Sequence, residues 1–440
     1  MESSPIRPRG IIALFLLLLF SLPVYAGETM SLEEAIELGG EHAFMIQSKR
    51  QDSIAAAGSL KAVRADRMPT LSVSGTSYYI DFVPEIQFPA GPPIELGTKE
   101  NYQLDLRLTL PLYTGGKLAS RVNIMRENYY AENAGLAAEI MKNAYDCRKA
   151  YLSFMVSEAI LGSAEASQER IKIIDRNIHR LYEHGLADSI DLLESAYALQ
   201  EASRVINERT ALRKNALVVL LQLLGLPPET DFEATETMPE PEERSFKKHH
   251  SIDNFGRPEL EILNNRVNVA RYQANLSRAE YFPAVSGFLG YSAGKPNRDF
   301  LNDEWNDNFI AGIKLSWELN LGFRTVHRTS SAHHQEYSAE LFKRAQEEAL
   351  ILHANAALVG LQEAYATYSI SKRQYELSAE KFRLAEKRQQ AGRLTVNRLL
   401  EMEAELAASE QLYYASRVQY HIAETEYLYA VGSARIFGGI

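Results

Sequence analysis

The amino-acid sequence predicts an α+β chain in which one helix–strand–strand–helix unit occurs twice, giving four strands and two very long helices. Three observations predict it. The same landmark residues recur about 207 residues apart, and a proline-free helical stretch of 68 residues follows one of them in each copy. Between the helical stretches the apolar spacing changes to two, the period of a strand.

The repeat is read first, because it orders everything else. Arg64-Ala65-Asp66-Arg67-Met68-Pro69 matches Arg278-Ala279-Glu280-Tyr281-Phe282-Pro283 at an offset of 214. Leu112-Tyr113-Thr114-Gly115-Gly116-Lys117 matches Leu319-Asn320-Leu321-Gly322-Phe323-Arg324 at 207. Gly185 with Leu192-Leu193-Glu194 matches Gly392 with Leu399-Leu400-Glu401, again at 207. The offset changes only between the first two landmarks, so the length difference falls in the strand region.

The long helices are expected at 117–184 and 324–391. Both are rich in Ala, Glu, Arg, Lys, Leu and Gln, and glycine is limited to Gly135, Gly162 and Gly360. At 1.5 Å per residue each is a rod of roughly 100 Å. A compact domain has no use for such a length; an elongated assembly does. Return helices follow the glycines at 187–224 and 394–431, and shorter helices precede the proline landmarks at 31–64 and 257–280. Laid end to end, the two shorter helices of a copy nearly match its long one, so each copy pairs one rod with two stacked pieces. Ile171, Ile174, Ile178 and Leu181, like Leu399, Met402 and Leu406, fall at spacings of three and four and read as packing seams.

The hairpins are expected at about 69–112 and 283–319. Tyr102, Leu104, Leu106, Leu108 and Leu110 alternate with Gln103, Asp105, Arg107 and Thr109. Phe309, Ala311, Ile313, Leu315, Trp317 and Leu319 alternate with Lys314, Ser316 and Glu318. The partner strands, around 70–80 and 284–293, alternate less cleanly. Pro84, Pro89, Pro92 and Pro93 mark one connecting loop, and Pro296, Asn297 and Asn302 the other. Strands of about ten residues suit a tilted membrane crossing.

Residues 1–26 have the layout of a secretory signal peptide. Arg7 and Arg9 precede an apolar run from Ile11 to Phe20, and Ala26 is the expected cleavage point. About ten apolar residues are too few for a membrane-spanning helix. In an exported chain the single cysteine, Cys147, has no partner for an intramolecular disulfide, so packing or assembly must supply stability. The net charge of −10 argues against nucleic acid as a partner.

Export and apolar strand faces together favour strands in the outer membrane over a half-buried soluble hairpin. Four strands cannot close a barrel, and an open edge in lipid leaves backbone groups without partners. If these strands span a membrane, the chain must oligomerise. Asp105, Arg107, Lys314 and Glu318 then face a water-filled lumen.

Signal peptide, duplicated unit, the Leu110-Pro111-Leu112-Tyr113-Thr114-Gly115-Gly116 turn and the glycine-marked helix turns together resemble the TolC-type outer-membrane efflux family over essentially the whole mature chain. The resemblance implies a homotrimer whose four-stranded contributions form a 12-stranded β-barrel in outer-membrane lipid, continued by an α-helical coiled-coil tunnel across the periplasm. It implies a passive duct joined by a periplasmic adaptor to an inner-membrane pump of the RND, ABC or MFS type. Pro111, Gly115, Gly116 and Gly322 are the strand-to-helix turns.

The resemblance also places the entrance and adaptor-docking surface at the second turns, through Gly185, Asp188, Ser189, Asp191 and Leu192 and through Gly392, Thr395, Val396, Arg398, Leu399 and Glu401. Ser189 and Thr395 suit helix caps. Arg398 stands where the family usually carries an acid, which makes Asp191 its expected partner; the alternative is two solvated charges. Residues 227–256, rich in Pro and Glu, read either as a belt around the tunnel or as a mobile linker between the repeats (27–226 and 257–440).

His249-His250 and His333-His334 lack the one-face spacing of metal ligands, and Gly115-Gly116-Lys117 lacks the spacing of a phosphate loop. Neither a metal nor a cofactor is expected. No nucleophile–base pair stands near a landmark, so the chain reads as no enzyme. Small-molecule efflux and type I protein secretion share this architecture, and a periplasmic coiled-coil scaffold is the alternative from another class.

Overall fold

A computed structural model of the chain describes residues 28–440 apart from 88, 90, 236, 237, 244–248, 250, 254, 298–303, 439 and 440. The expected signal peptide lies outside the described residues. Strand β1 (Glu28–Met30) leads into helix α1 (Leu32–His42), where Ser31 and Glu34 form a reciprocal capping box. Helix α2 (Phe44–Ala65) follows after a break at Ala43, whose backbone is extended (φ −64°, ψ 107°). The sequence reads 31–64 as one helix, although Gly39-Gly40 stand just before the break. Its cause is tertiary: α1 buries Leu32, Ala35, Ile36 and Gly39, whereas α2 buries only Ile46 and Leu60.

The first hairpin is β2 (Thr70–Tyr79) and β5 (Glu100–Tyr113), with a short pair, β3 (Glu85–Ile86) and β4 (Ile94–Glu95), in the loop between them. Helix α3 (Lys117–Glu183) then runs 67 residues and α4 (Ser189–Leu224) returns. The short β6 (Phe232–Ala234) pairs in parallel with β1. The second copy comprises α5 (Pro258–Arg278), β7 (Ala284–Lys295), β8 (Asn306–Ser316), α6 (Arg324–Gln390, again 67 residues) and α7 (Val396–Ala430). Pro258 opens α5 at the position where a missing N–H costs nothing.

The four long strands form one antiparallel sheet in the order β2-β5-β7-β8, and the β5–β7 pairing joins the two copies. β2 and β8 are its outer strands. Helix α3 packs on α2, α4, α5 and α7, and α6 packs on α5 and α7. Among the described residues no helix is long and apolar enough to cross a membrane.

Three apolar clusters hold the helices together. One gathers α1, α3 and α4 around Leu32, Tyr151, Phe154, Leu220, Leu221 and Leu224, all fully buried. A second lies between α6 and α7 around Leu358, Leu361 and Tyr420. The third sits near the far turns and contains Ile174, Ile178, Phe382, Val396, Leu399 and Leu406. Burying each large aliphatic side chain contributes about 1.5–3 kcal/mol.

Candidate functional site

The sheet register sorts the strand residues into two faces. Leu104, Leu106, Leu108 and Leu110 share a face with Leu71 and Val73, with Val285, Leu289 and Tyr291, and with Phe309, Ile313 and Leu315. Asp105 lies opposite Ser74 and Ser292, and Arg107 opposite Ser72 and Gly290. Ser286 pairs with Lys314, placing that lysine on the same polar face. Glu318 departs from expectation. β8 ends at Ser316, and Glu318 sits beyond it, paired with Arg324 at 2.7 Å at the start of α6.

The strand-to-helix turns differ between the copies. Pro111 sits at a register shift in β5, a position that does not need its missing N–H. Gly115 and Gly116 both have positive φ, and a Cβ on Gly115 would lie 2.7 Å from Phe282 Cβ, so the first turn abuts the second copy. In the second copy the left-handed residue is Phe323 (φ 56°), the counterpart of Gly116, while the Gly322 N–H is held by Asn320 Oδ1 at 3.0 Å.

The far turns are built alike. Gly185 and Gly392 take φ of 75° and 67°, and each helix end closes with paired backbone bonds. Leu186 N–H donates to Leu181 O and Arg393 N–H to Arg388 O, both at 2.8 Å. Thr395 caps α7, accepting from Arg398 N–H at 3.4 Å. In the first copy the cap is Asp188 and not Ser189. Asp188 accepts from Ile190 and Asp191 N–H at 2.8 and 3.0 Å, and Asp191 returns a bond to the Asp188 N–H. Both residue types cap well, so adjacency decides, and the carboxylate also meets the positive helix end.

Two further expectations are corrected by this geometry. Asp191 is engaged at the cap and Arg398 pairs with Glu401 on its own helix; among the described residues the chain forms no Asp191–Arg398 contact. Val396 and Leu399 are buried in the turn-end cluster with Leu192 packed beside it, so they hold the turn together and present little to a partner. The exposed apolar positions are Leu186, Ile190, Leu193 and Tyr197.

Two polar networks are invisible in local sequence. Buried Glu403 accepts from Ser167 Oγ at 2.7 Å and from Arg170 at 3.2 Å, and the same guanidinium reaches Glu410 at 3.1 Å. Burial pushes the Glu403 carboxyl up from its ordinary value. Nearer the middle of α6 and α7, Glu240 accepts from the Tyr368 and Tyr413 hydroxyls and from Lys372. These donors, with Arg417 nearby, pull its carboxyl down to about 2. Arg417 also donates to the carbonyls of Met238 and Pro239, and Tyr420 to that of Glu242. Of the two readings of 227–256, the described residues 238–242 fit a strap lying on α6 and α7.

His249 is placed against Phe255 and hydrogen-bonded to Tyr427, and His333 lies beside Arg278 and Glu336. Among the described residues no three His, Cys, Asp or Glu converge as a metal site.

Residues 41–226 and 256–433 match the family described as outer membrane efflux protein, one segment for each copy of the repeat. The chain belongs to that family, which places it in the outer membrane. It is 22% identical over 308 residues to the alkaline protease secretion protein AprF of Pseudomonas aeruginosa, a match covering 66% of this chain and 60% of that one. The fold is similar to the outer membrane protein VceC of Vibrio cholerae, with a TM-score of 0.76 at 16% identity over 91% of this chain and 96% of that one. It is also similar to the MtrE outer membrane channel of Neisseria gonorrhoeae, with a TM-score of 0.72 at 15% identity over 91% and 89%. The fold class read from the sequence, an α+β subunit giving four strands to a shared barrel continued by a helical tunnel, is the fold of these channels.

Proposed function

We propose that the chain is a passive outer-membrane exit duct that assembles as a homotrimer and carries small molecules out of the periplasm. The observation that carries this is the sheet: one face is wholly apolar over its middle rows, and its outer strands β2 and β8 have no partner among the described residues. In lipid those edges must pair, and β8 of one subunit against β2 of the next closes twelve strands from three copies. The polar face then lines the lumen with Asp105, Arg107 and Lys314, and the helices extend it by roughly 100 Å.

The Gly185 and Gly392 turns form the periplasmic entrance, where Leu186, Ile190, Leu193 and Tyr197 offer an adaptor its apolar contact. The sequence carries no nucleotide-binding loop, so an RND, ABC or MFS-type pump in the inner membrane supplies the energy through that adaptor. Type I protein secretion is the second reading, favoured by the similarity to a protein named for alkaline protease secretion. Single-channel recording of the detergent-purified protein, beside its mass by light scattering, tests the duct. Discrete conductance steps from a trimer are expected; a soluble monomer without conductance would overturn it in favour of a periplasmic scaffold.

A further inference from the structure

The polar face of the sheet is not uniformly polar. Phe288 stands on it, half-buried, in the row formed with Thr109 and Gly312. Its ring lies across Gly312, where a Cβ would come within 2.8 Å of Phe288 Cζ. The next row toward the loops holds Arg107, Gly290 and Ile310, and the row on the helix side holds Ser286 and Lys314. An aromatic ring is therefore flanked on one wall by a cation on each side, with an isoleucine diagonally adjacent. The ring itself fills the space over Gly312, while Gly290, without a side chain, leaves the wall open beside it.

The two cations have no carboxylate of their own. Arg107 lies with its guanidinium carbon 6.0 Å from the Phe288 ring centre and makes no ion pair among the described residues; Lys314 makes none either. The one acid on this face, Asp105, is turned toward the loops, where Gln103 donates to it at 3.1 Å. This wall keeps a surplus of positive charge within a chain of net charge −10. A free guanidinium beside an aromatic face matches a planar apolar body carrying a sulfonate or carboxylate.

Resting on the duct reading, we infer that the Arg107–Phe288–Lys314 wall is a lumenal subsite for aromatic organic anions. Each subunit supplies one copy, so the barrel carries a ring of such sites near its periplasmic end. An anion of this class stacks on Phe288 with its charged end at either cation, lingers there and obstructs the current.

The test is block of the single-channel current by 2-naphthalenesulfonate, compared with a trimethylammonium derivative of the same naphthalene ring. Wild type should be blocked by the sulfonate and not by the cation. The Arg107→Gln/Lys314→Gln double variant should raise the half-blocking concentration about tenfold, the loss of roughly two exposed cation contacts. Phe288→Leu should weaken block while both charges remain. Equal block of wild type and double variant, or equal block by the cation, overturns the subsite while leaving the duct standing. Absence of conductance in wild type removes the duct reading and this inference with it.

Discussion

Asn397 Nδ2 donates to Glu194 Oε1 at 3.1 Å, joining two helix starts that lie 203 residues apart in the chain. Each residue follows one of the equivalent glycine turns, so the bond ties α4 to α7 at the proposed entrance. Both partners are exposed, so its stabilising effect is about 0.5 kcal/mol. Its weight is positional. Asn397→Ala should leave the thermal midpoint almost unmoved while raising single-channel conductance, because the α4 and α7 tips lose the hydrogen bond that joins them and keep only the packing of Leu192 beside Leu399. Conductance equal to wild type would show that other contacts set the aperture.

The strap at 238–242 should be released by acid. With its carboxyl held at about 2, below the ordinary 4.5, Glu240 contributes its full anchoring above pH 4.5 and loses it as pH falls from there toward 2. The side chain is 49% exposed, so solvent screens the effect and the change is local. Glu240→Gln should mimic the protonated state at pH 7. Limited proteolysis of the strap is then expected to run severalfold faster in the variant than in wild type at pH 7. The two should become alike only as pH approaches 2.

Gly39 and Cys147 offer a packing test. A Cβ on Gly39 would lie 2.6 Å from Cys147 Sγ, and the thiol is fully buried beneath α1. Burial pushes that thiol up to about 12, which makes it inert toward maleimide in the folded protein. Gly39→Ala should cost about 1–3 kcal/mol by overpacking. Adding Cys147→Ala should recover a large part of that loss, since the sulfur is what the new methyl meets. Thermal denaturation of the two singles and the double measures the coupling, and strict additivity would show that the crowding lies with the Leu223 carbonyl, 3.3 Å from the same position.

What was legible in the sequence was whatever repeats or alternates. The constant offset from Gly115 onward marked the duplicated unit, and the period of two from Tyr102 to Leu110 showed which side chains share a face. The break at Ala43 is weakly marked, since Gly39-Gly40 also lie within α1, and it is the docking of α1 that shows where the helix ends. Opposite charge makes Asp191 the expected partner of Arg398, whereas Glu401, three residues along the same helix, is the acid within its reach. The resemblance puts Val396 and Leu399 at the entrance surface, and only their clustering with Phe382 and Ile178 shows that they face inward. The anchoring of Glu240 by Tyr368 and Tyr413 depends on separations of 128 and 173 residues, beyond any periodicity argument.

Arg170 serves two carboxylates at once, and its removal should be strongly destabilising. The Glu403 side chain is 3% exposed and that of Glu410 10%, so Arg170→Ala leaves two acids facing each other with little water. Stranding buried charges in this way costs about 3–5 kcal/mol. The loss should depend on pH in a defined direction. Without the guanidinium, burial and mutual repulsion raise the carboxyl of Glu403 further above its unfolded value, so the folded variant prefers the protonated form. Its deficit relative to wild type should then be largest near neutral pH and shrink as pH falls through the raised carboxyl value toward the ordinary 4.5. Glu403→Gln on the Arg170→Ala background should restore stability at pH 7, since an amide keeps the Ser167 hydrogen bond without the charge. A deficit independent of pH, and untouched by Glu403→Gln, would assign the role of Arg170 to packing of its aliphatic stem between α3 and α7.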